Sequence, residues 1–133
     1  MHEVARFTQG CPLVAHNAAF DRGFWHAELA RAECAADAAH AFACTLLLAR
    51  RLYPHAENHK LGTLARLHAL PSAGRAHRAL ADAEVTAHLL LRMQRDVEER
   101  FAKALAGARA THALLSALQR APRHQLERCF VQR

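Results

Sequence analysis

No stretch of this 133-residue chain approaches the ~20 uninterrupted apolar residues that a bilayer-spanning helix needs, and no charged-then-apolar leader opens it. No membrane partner is therefore expected, and the reading is a soluble, cytoplasmic protein. Cysteine clips are missing as well. Cys11, Cys34, Cys44 and Cys129 form no C-x-x-C pair and follow no zinc-ribbon spacing, so buried free thiols are expected. Aromatic residues make up only 6% of the chain, which leaves Ala and Leu to build the core and favours helix. There is no internal repeat and no low-complexity linker, and the length fits one small domain. Acid is scarce at the start, where Glu3 is the only Asp or Glu before Asp21.

The charge that is present is mostly basic. A formal net charge of +6, carried almost wholly by Arg, favours a polyanionic partner, because the planar guanidinium grips phosphate oxygens two at a time. Solvated helix faces in an Ala- and Arg-rich chain explain the same composition equally well.

Along the chain, Met1 to Gln9 reads as the end of a helix stopped by Gly10. Leu13-Val14-Ala15 follows as a short buried parallel strand. Asn17 is placed to cap a helix over Ala18 to Glu33, with Phe24, Trp25, Leu29 and Ala32 on one apolar side. A second extended piece is expected at Ala41 to Cys44, with Thr45 capping a helix over Leu46 to Leu52. Tyr53 to His59 is a polar loop. Leu61, Leu64, Ala65 and His68 then fall at i, i+3, i+4 and i+7, a short amphipathic helix closed by Pro71. The spacing next predicts a long helix over Ala79 to Phe101, with Leu80, Ala83, Ala87, Leu90, Val97 and Phe101 on one side. Gly107 separates it from a helical stretch over Ala110 to Arg120, and an Arg-rich end follows Pro122. The division expected is a domain over residues 1–101 and a helical C-terminal extension over residues 102–133. An α/β layer needs several strands and this sequence offers two short ones, so the expected fold is an N-terminally truncated, helix-dominated α/β domain.

Two segments carry chemistry. In LVAHNAAFD, Asp21 falls in the first turn of a helix just beyond the C-terminal end of a strand, where α/β sheets hold their ligands. A carboxylate favoured by the helix N-terminus, with no ligand at all, accounts for the same placement. In HRALADAEVT, Asp82 opens the long helix and His77 lies in the lead-in, with small Ala79 between them. Carboxylates take hard Mg²⁺ or Mn²⁺, and an imidazole of pKa near ~6.5 accepts a proton from water at neutral pH. One histidine among eleven is ordinarily a surface or satisfied core group. With HNAAFD about sixty residues earlier, the set points to phosphodiester hydrolysis.

On these motifs the chain resembles the DEDDh 3′-5′ exonucleases of the ribonuclease-H-like superfamily, most closely the proofreading epsilon subunits of bacterial DNA polymerase III. LVAHNAAFD is similar to their second motif and HRALADA to their third, and NHKLGTLARLHAL resembles the segment between; the likeness runs from Phe7 to Met93. It implies a ribonuclease-H-like fold and Mg²⁺ or Mn²⁺ in a two-metal site. It makes Asp82 and Asp21 metal-serving catalytic carboxylates and His77 the general base. His16, Asn17 and Phe20 would line the groove for the terminal nucleotide, where a ring or amide engages a splayed base; core packing is the competing expectation for Phe20. The implied substrate is the single-stranded 3′ end of DNA, or RNA for a ribonuclease of the same family, and a DNA polymerase subunit is an implied partner.

The first motif of that family, Asp-x-Glu, has no counterpart here, and Glu3 does not stand in such a context. Two cations facing two phosphates need about three or four anionic ligands, so two aspartates fall short and the chain alone is expected to be weakly active or inactive. The competing reading is an inactive nucleic-acid-binding or polymerase-associated domain, consistent with the basic balance. Relatives commonly carry Asp at the position of Cys44; the expected effect is on packing rather than chemistry. Arg22, Lys60, Arg75 and Arg78 lie near the motifs and are candidate phosphate contacts, each with a solvated surface role as the alternative. His55 and His59 form the one notable close histidine pair, in a loop that does not suit a transition metal.

Overall fold

The structure, a computed structural model, describes residues 1–71 and 79–130. Its elements run in the order α1 (His2–Phe7), β1 (Leu13–Ala15), α2 (Ala18–Arg31), β2 (Phe42–Cys44), α3 (Thr45–Leu52), α4 (Leu61–Leu67), α5 (Ala79–Arg100), α6 (Ala102–Leu105), α7 (His112–Leu118) and a 3-10 turn at Leu126–Phe130. Helix dominates and the sheet is small: β1 and β2 pair in parallel, with Leu13 opposite Phe42, Val14 opposite Ala43 and Ala15 opposite Cys44. The right-handed β1-α2-β2 crossover expected for parallel neighbours puts α2 over one face of this pair. No described helix is long and apolar enough to cross a membrane.

Local chemistry sets the boundaries. α1 stops before Gly10, whose positive φ of 73° turns the chain toward β1 while its N–H donates to Asp37 Oδ2 at 2.8 Å. α5 gives way to the single turn of α6, which ends on Ala106 and Gly107 in the left-handed region, a conformation that glycine adopts without steric penalty. At α7 the Thr111 hydroxyl accepts the Leu114 N–H at 3.1 Å, a side-chain N-cap.

Among the described residues the main core joins α3, α4, α5 and the segment beyond residue 101. Leu48 and Leu52 of α3, Leu64 of α4, and Leu89, Met93 and Val97 of α5 pack with Ala110, Leu115, Leu118 and Leu126 from beyond residue 101. Each fully buried Leu contributes about 1.5–3 kcal/mol relative to exposure. Gln119, 6% exposed, finishes the sheet: the Cys44 N–H donates to its Oε1 at 2.6 Å, and its Nε2 donates to the Phe42 carbonyl at 3.3 Å. A side-chain amide thereby closes the outer edge of β2, which would otherwise offer unpaired backbone groups.

Several expectations are corrected. Of the apolar side of α2 expected from Phe24, Trp25, Leu29 and Ala32, Leu29 is buried and Trp25 and Ala32 are half-buried, but Phe24 is 64% exposed, and Ala18 is buried as well. The buried stripe of α5 is Ala81, Thr86, Leu89, Met93 and Val97, while Leu80 is 73% exposed. The two stripes overlap at Val97, with Leu90 and Phe101 half-buried against the core, and are rotated from one another around the helix; Ala-rich sequence marks both weakly. Thr45 sits inside α3 rather than capping it, because its hydroxyl bonds His16. Of the four thiols only Cys44 is buried; Cys11 is exposed, and Cys34 and Cys129 are half-buried. His77, Arg75 and Arg78 lie outside the described residues.

Candidate nuclease site

The end of β1 builds the site from three consecutive residues. His16 follows the strand directly and is locked at both ring nitrogens: Nε2 donates to the His59 carbonyl at 2.8 Å and Nδ1 accepts from the Thr45 hydroxyl at 2.8 Å. The carbonyl partner fixes a proton on Nε2, while the Thr45 hydroxyl at Nδ1 also lies 3.5 Å from the Ala15 carbonyl. Burial pushes the His16 pKa below its ordinary value; the hydrogen bond to His59 and the charge of Asp21 oppose this, and the charges of His59 and Arg50 add to it. His59 is held in turn by its own Nε2, which donates to the Tyr53 carbonyl at 2.9 Å. His16 thus ties the end of β1 to the start of α3 and to the loop before α4.

Asn17 stands in the left-handed region at φ 69°, ψ 57°, exposed, and its side chain makes no cap bond. Asn is among the few residues that tolerate this conformation, so the sharp exit from β1 into α2 accounts for its identity. The cap is supplied from elsewhere: the Ala18 N–H donates to Cys44 Sγ at 3.3 Å. A thiol accepts weakly, and a carboxylate at this position would accept the same N–H more strongly. That contact bears on how α2 is seated.

Asp21 occupies the first turn of α2 and is exposed. It lines a groove of about 520 Å³ along β1, together with Val14, Ala15, Phe20, Phe24 and Trp25. Leu13 donates its N–H to Ala41 on the β2 side, so strand alternation directs the Val14 N–H and C=O away from β2. Phe20 is 72% exposed, which removes ordinary core packing as the account of this ring. Asp82 sits in the first turn of α5, half-buried. Both α2 and α5 pack against β1, so both aspartates start from elements that meet the same strand.

Among the described residues, no group of three or more His, Cys, Asp or Glu side chains converges as a metal site would. No step below is routed through a metal. Other residues of the site have no signature in the sequence. Thr45, Cys44, His59 and Arg50 act on it through contacts 26 to 43 residues distant or through charge alone.

A family model described as an exonuclease matches residues 1–90. The PolC-type DNA polymerase III of Halalkalibacterium halodurans is 40% identical over 100 residues, covering 75% of this chain and 7% of that protein. The PolC-type enzyme of Bacillus subtilis is 41% identical over 88 residues, covering 66% and 6%. That of Listeria monocytogenes is 42% identical over 87 residues, covering 65% and 6%. The chain thus spans 7% or less of the length of these relatives. No solved structure matches.

Proposed function

Because the chain belongs to the RNase_T exonuclease family, matched over residues 1–90 and implying a ribonuclease-H-like fold, we propose that it is a 3′-5′ exonuclease domain. It acts on single-stranded DNA ends and releases nucleoside monophosphates. The observation that carries this reading is the placement of HNAAFD and the Asp82 turn on two helices that both pack against β1, with Asp21 at the edge of an aromatic-lined groove. In this reading Phe20 stacks on the terminal base, and Asn17 supplies an amide beside it. His16 spends both ring nitrogens within the protein, so its part is to hold β1, α3 and the 53–60 loop in place. His77 takes the proton of the attacking water. Asp21 and Asp82 supply part of the ligand set of Mg²⁺ or Mn²⁺, a cation that offsets phosphate charge when bound. The polymerase names of the relatives support a replicative setting, with a DNA polymerase subunit as partner and the cytoplasm as location.

Two carboxylates are fewer than such a centre needs, so slow turnover is expected of residues 1–133 alone. Purified protein in excess over 5′-labelled single-stranded DNA with Mn²⁺ is expected to give products shortened from the 3′ end. Asp82→Asn and EDTA should each abolish them, and RNA should be cut less well. Shortening from the 5′ end, or hydrolysis that survives both Asp21→Asn and Asp82→Asn, would overturn the assignment. Turnover matching an intact relative would overturn the expected slowness. Complete inactivity would favour a second reading, a nucleic-acid-binding domain without catalysis, which the lack of a three-residue metal cluster among the described residues supports.

A further inference from the structure

A second surface feature lies where α3 ends against the turn that follows α7. Arg50 and Arg51 form the last turn of α3. Arg51 is a brace: its Nε donates to the Ala121 carbonyl at 2.8 Å and its Nη1 to the Leu47 carbonyl at 2.9 Å, fixing the turn against the helix. That brace seats the turn carrying the exposed Arg120 and Arg123 against the end of α3, where Arg50 is exposed, although the sequence separates the two segments by about seventy residues. Both contributing segments are free of acid, since residues 38–56 and 100–126 contain no Asp or Glu. The ion pairs of the described residues involve Arg31, His40, Arg92 and Arg109, and none of these three arginines. Gln119, next to Arg120, takes the Cys44 N–H, and Cys44 Sγ takes the Ala18 N–H at the start of α2, so this turn lies beside the end of the sheet from which the helix of Asp21 begins; the Arg50 charge also acts on His16 there.

We propose that Arg50, Arg120 and Arg123 bind the sugar-phosphate backbone of a nucleic-acid strand whose end occupies the groove at β1. This rests on the nuclease reading and extends it to residues beyond 1–90. Guanidinium forks match phosphate oxygens bidentately, and the rigid brace holds two of them in fixed register on one turn. A protein partner fits less well. Protein interfaces pair arginine with aromatic anchors, and the exposed aromatic residues Phe7, Phe20 and Phe24 belong to α1 and α2 rather than to this surface.

Fluorescence anisotropy in EDTA, which removes hydrolysis from the readout, tests this with a labelled oligothymidylate of about twelve nucleotides, within the span that single-strand sites cover. Arg120→Gln combined with Arg123→Gln is expected to weaken binding about tenfold at low salt. It should also reduce the slope of log Kd against log salt by about 1.4, two contacts at about 0.7 each. Arg50→Gln should weaken binding in the same direction, while Lys103→Gln leaves it unchanged, and all variants should melt like the wild type because these residues are exposed. Unchanged affinity and slope in the arginine variants would overturn the proposal and leave the nuclease reading standing. Displacement of the oligonucleotide by polyglutamate at equal charge concentration would overturn it in favour of an acidic protein partner. Loss of 3′-end hydrolysis with arginine-dependent binding retained would sink only the nuclease reading.

Discussion

Adding a proton to His16 charges a ring that is already half-buried, and burial is the main cause that holds its pKa down. His68 faces a related difficulty: burial first, then the Arg92 charge, hold its pKa down against the pull of Asp96, and its Nε2 is buried without a partner among the described residues. Its ring lies 4.4 Å from that of Tyr53, whose hydroxyl donates to Asp96 at 2.5 Å; burial and that carboxylate push the phenol pKa up. Both histidines have folded-state pKa values below the ordinary 6.5. The unfolded chain therefore binds more protons as pH falls through 6.5, and the stability present above that value declines below it. The midpoint of urea unfolding is expected to drop between pH 7.5 and 5.5, and to drop less in His68→Leu. Asp37 and Glu98 are shifted down from 3.8 and 4.5, chiefly by backbone N–H donors at Gly10 and Ala110, so their contributions fail at lower pH still. A midpoint that is level across this range would remove the histidine account.

At the scale of elements, helix and strand locations were legible because their signals are local. Gly10, Gly107 and the apolar run at Leu13 mark the breaks and β1, and the expected boundaries of β2, α3 and α5 agree with the observed ones to within a residue. Which face a helix buries was legible for α4, where Leu64 is buried with Leu61 packed beside it, and only in part for α2 and α5. In an Ala-rich helix several stripes share similar hydrophobicity, and the neighbours decide among them. α5 shows this most clearly, since α3 and α4 pack against it and bury Leu89 and Met93 while Leu80 stays outside. Leu89→Ala is expected to cost about 2–5 kcal/mol, against about 0.5 kcal/mol or less for Leu80→Ala, measured by equilibrium unfolding. Equal costs would mean that the packed face has been misassigned. The same tertiary dependence explains Phe24, which sequence hydrophobicity places inside, and decides between groove and core for Phe20; the fold leaves both exposed beside the groove.

For the whole molecule, residues beyond 101 are part of the packing unit, because Ala110, Leu115, Leu118 and Leu126 complete the core and Gln119 closes the sheet. Residues 1–101 alone are expected to lose cooperative thermal unfolding in circular dichroism, while residues 1–133 keep it; a sharp transition in the shorter chain would show instead that the C-terminal helices are an accessory. The sequence by itself determined the family, the strand-turn-helix unit that carries Asp21, the helix start that carries Asp82 and the basic balance, since each is written in neighbouring residues. Tertiary structure alone decided that His16 is spent on Thr45 and His59, that Cys44 receives the first N–H of α2, and that Gln119 seals β2. It also decided that the turn carrying Arg120 and Arg123 seats against the end of α3. These depend on contacts across 26 to 77 residues or on the brace from Arg51 to Ala121. Only the folded chain brings groups so far apart within bonding distance, and no local pattern of residue types encodes which of them will meet.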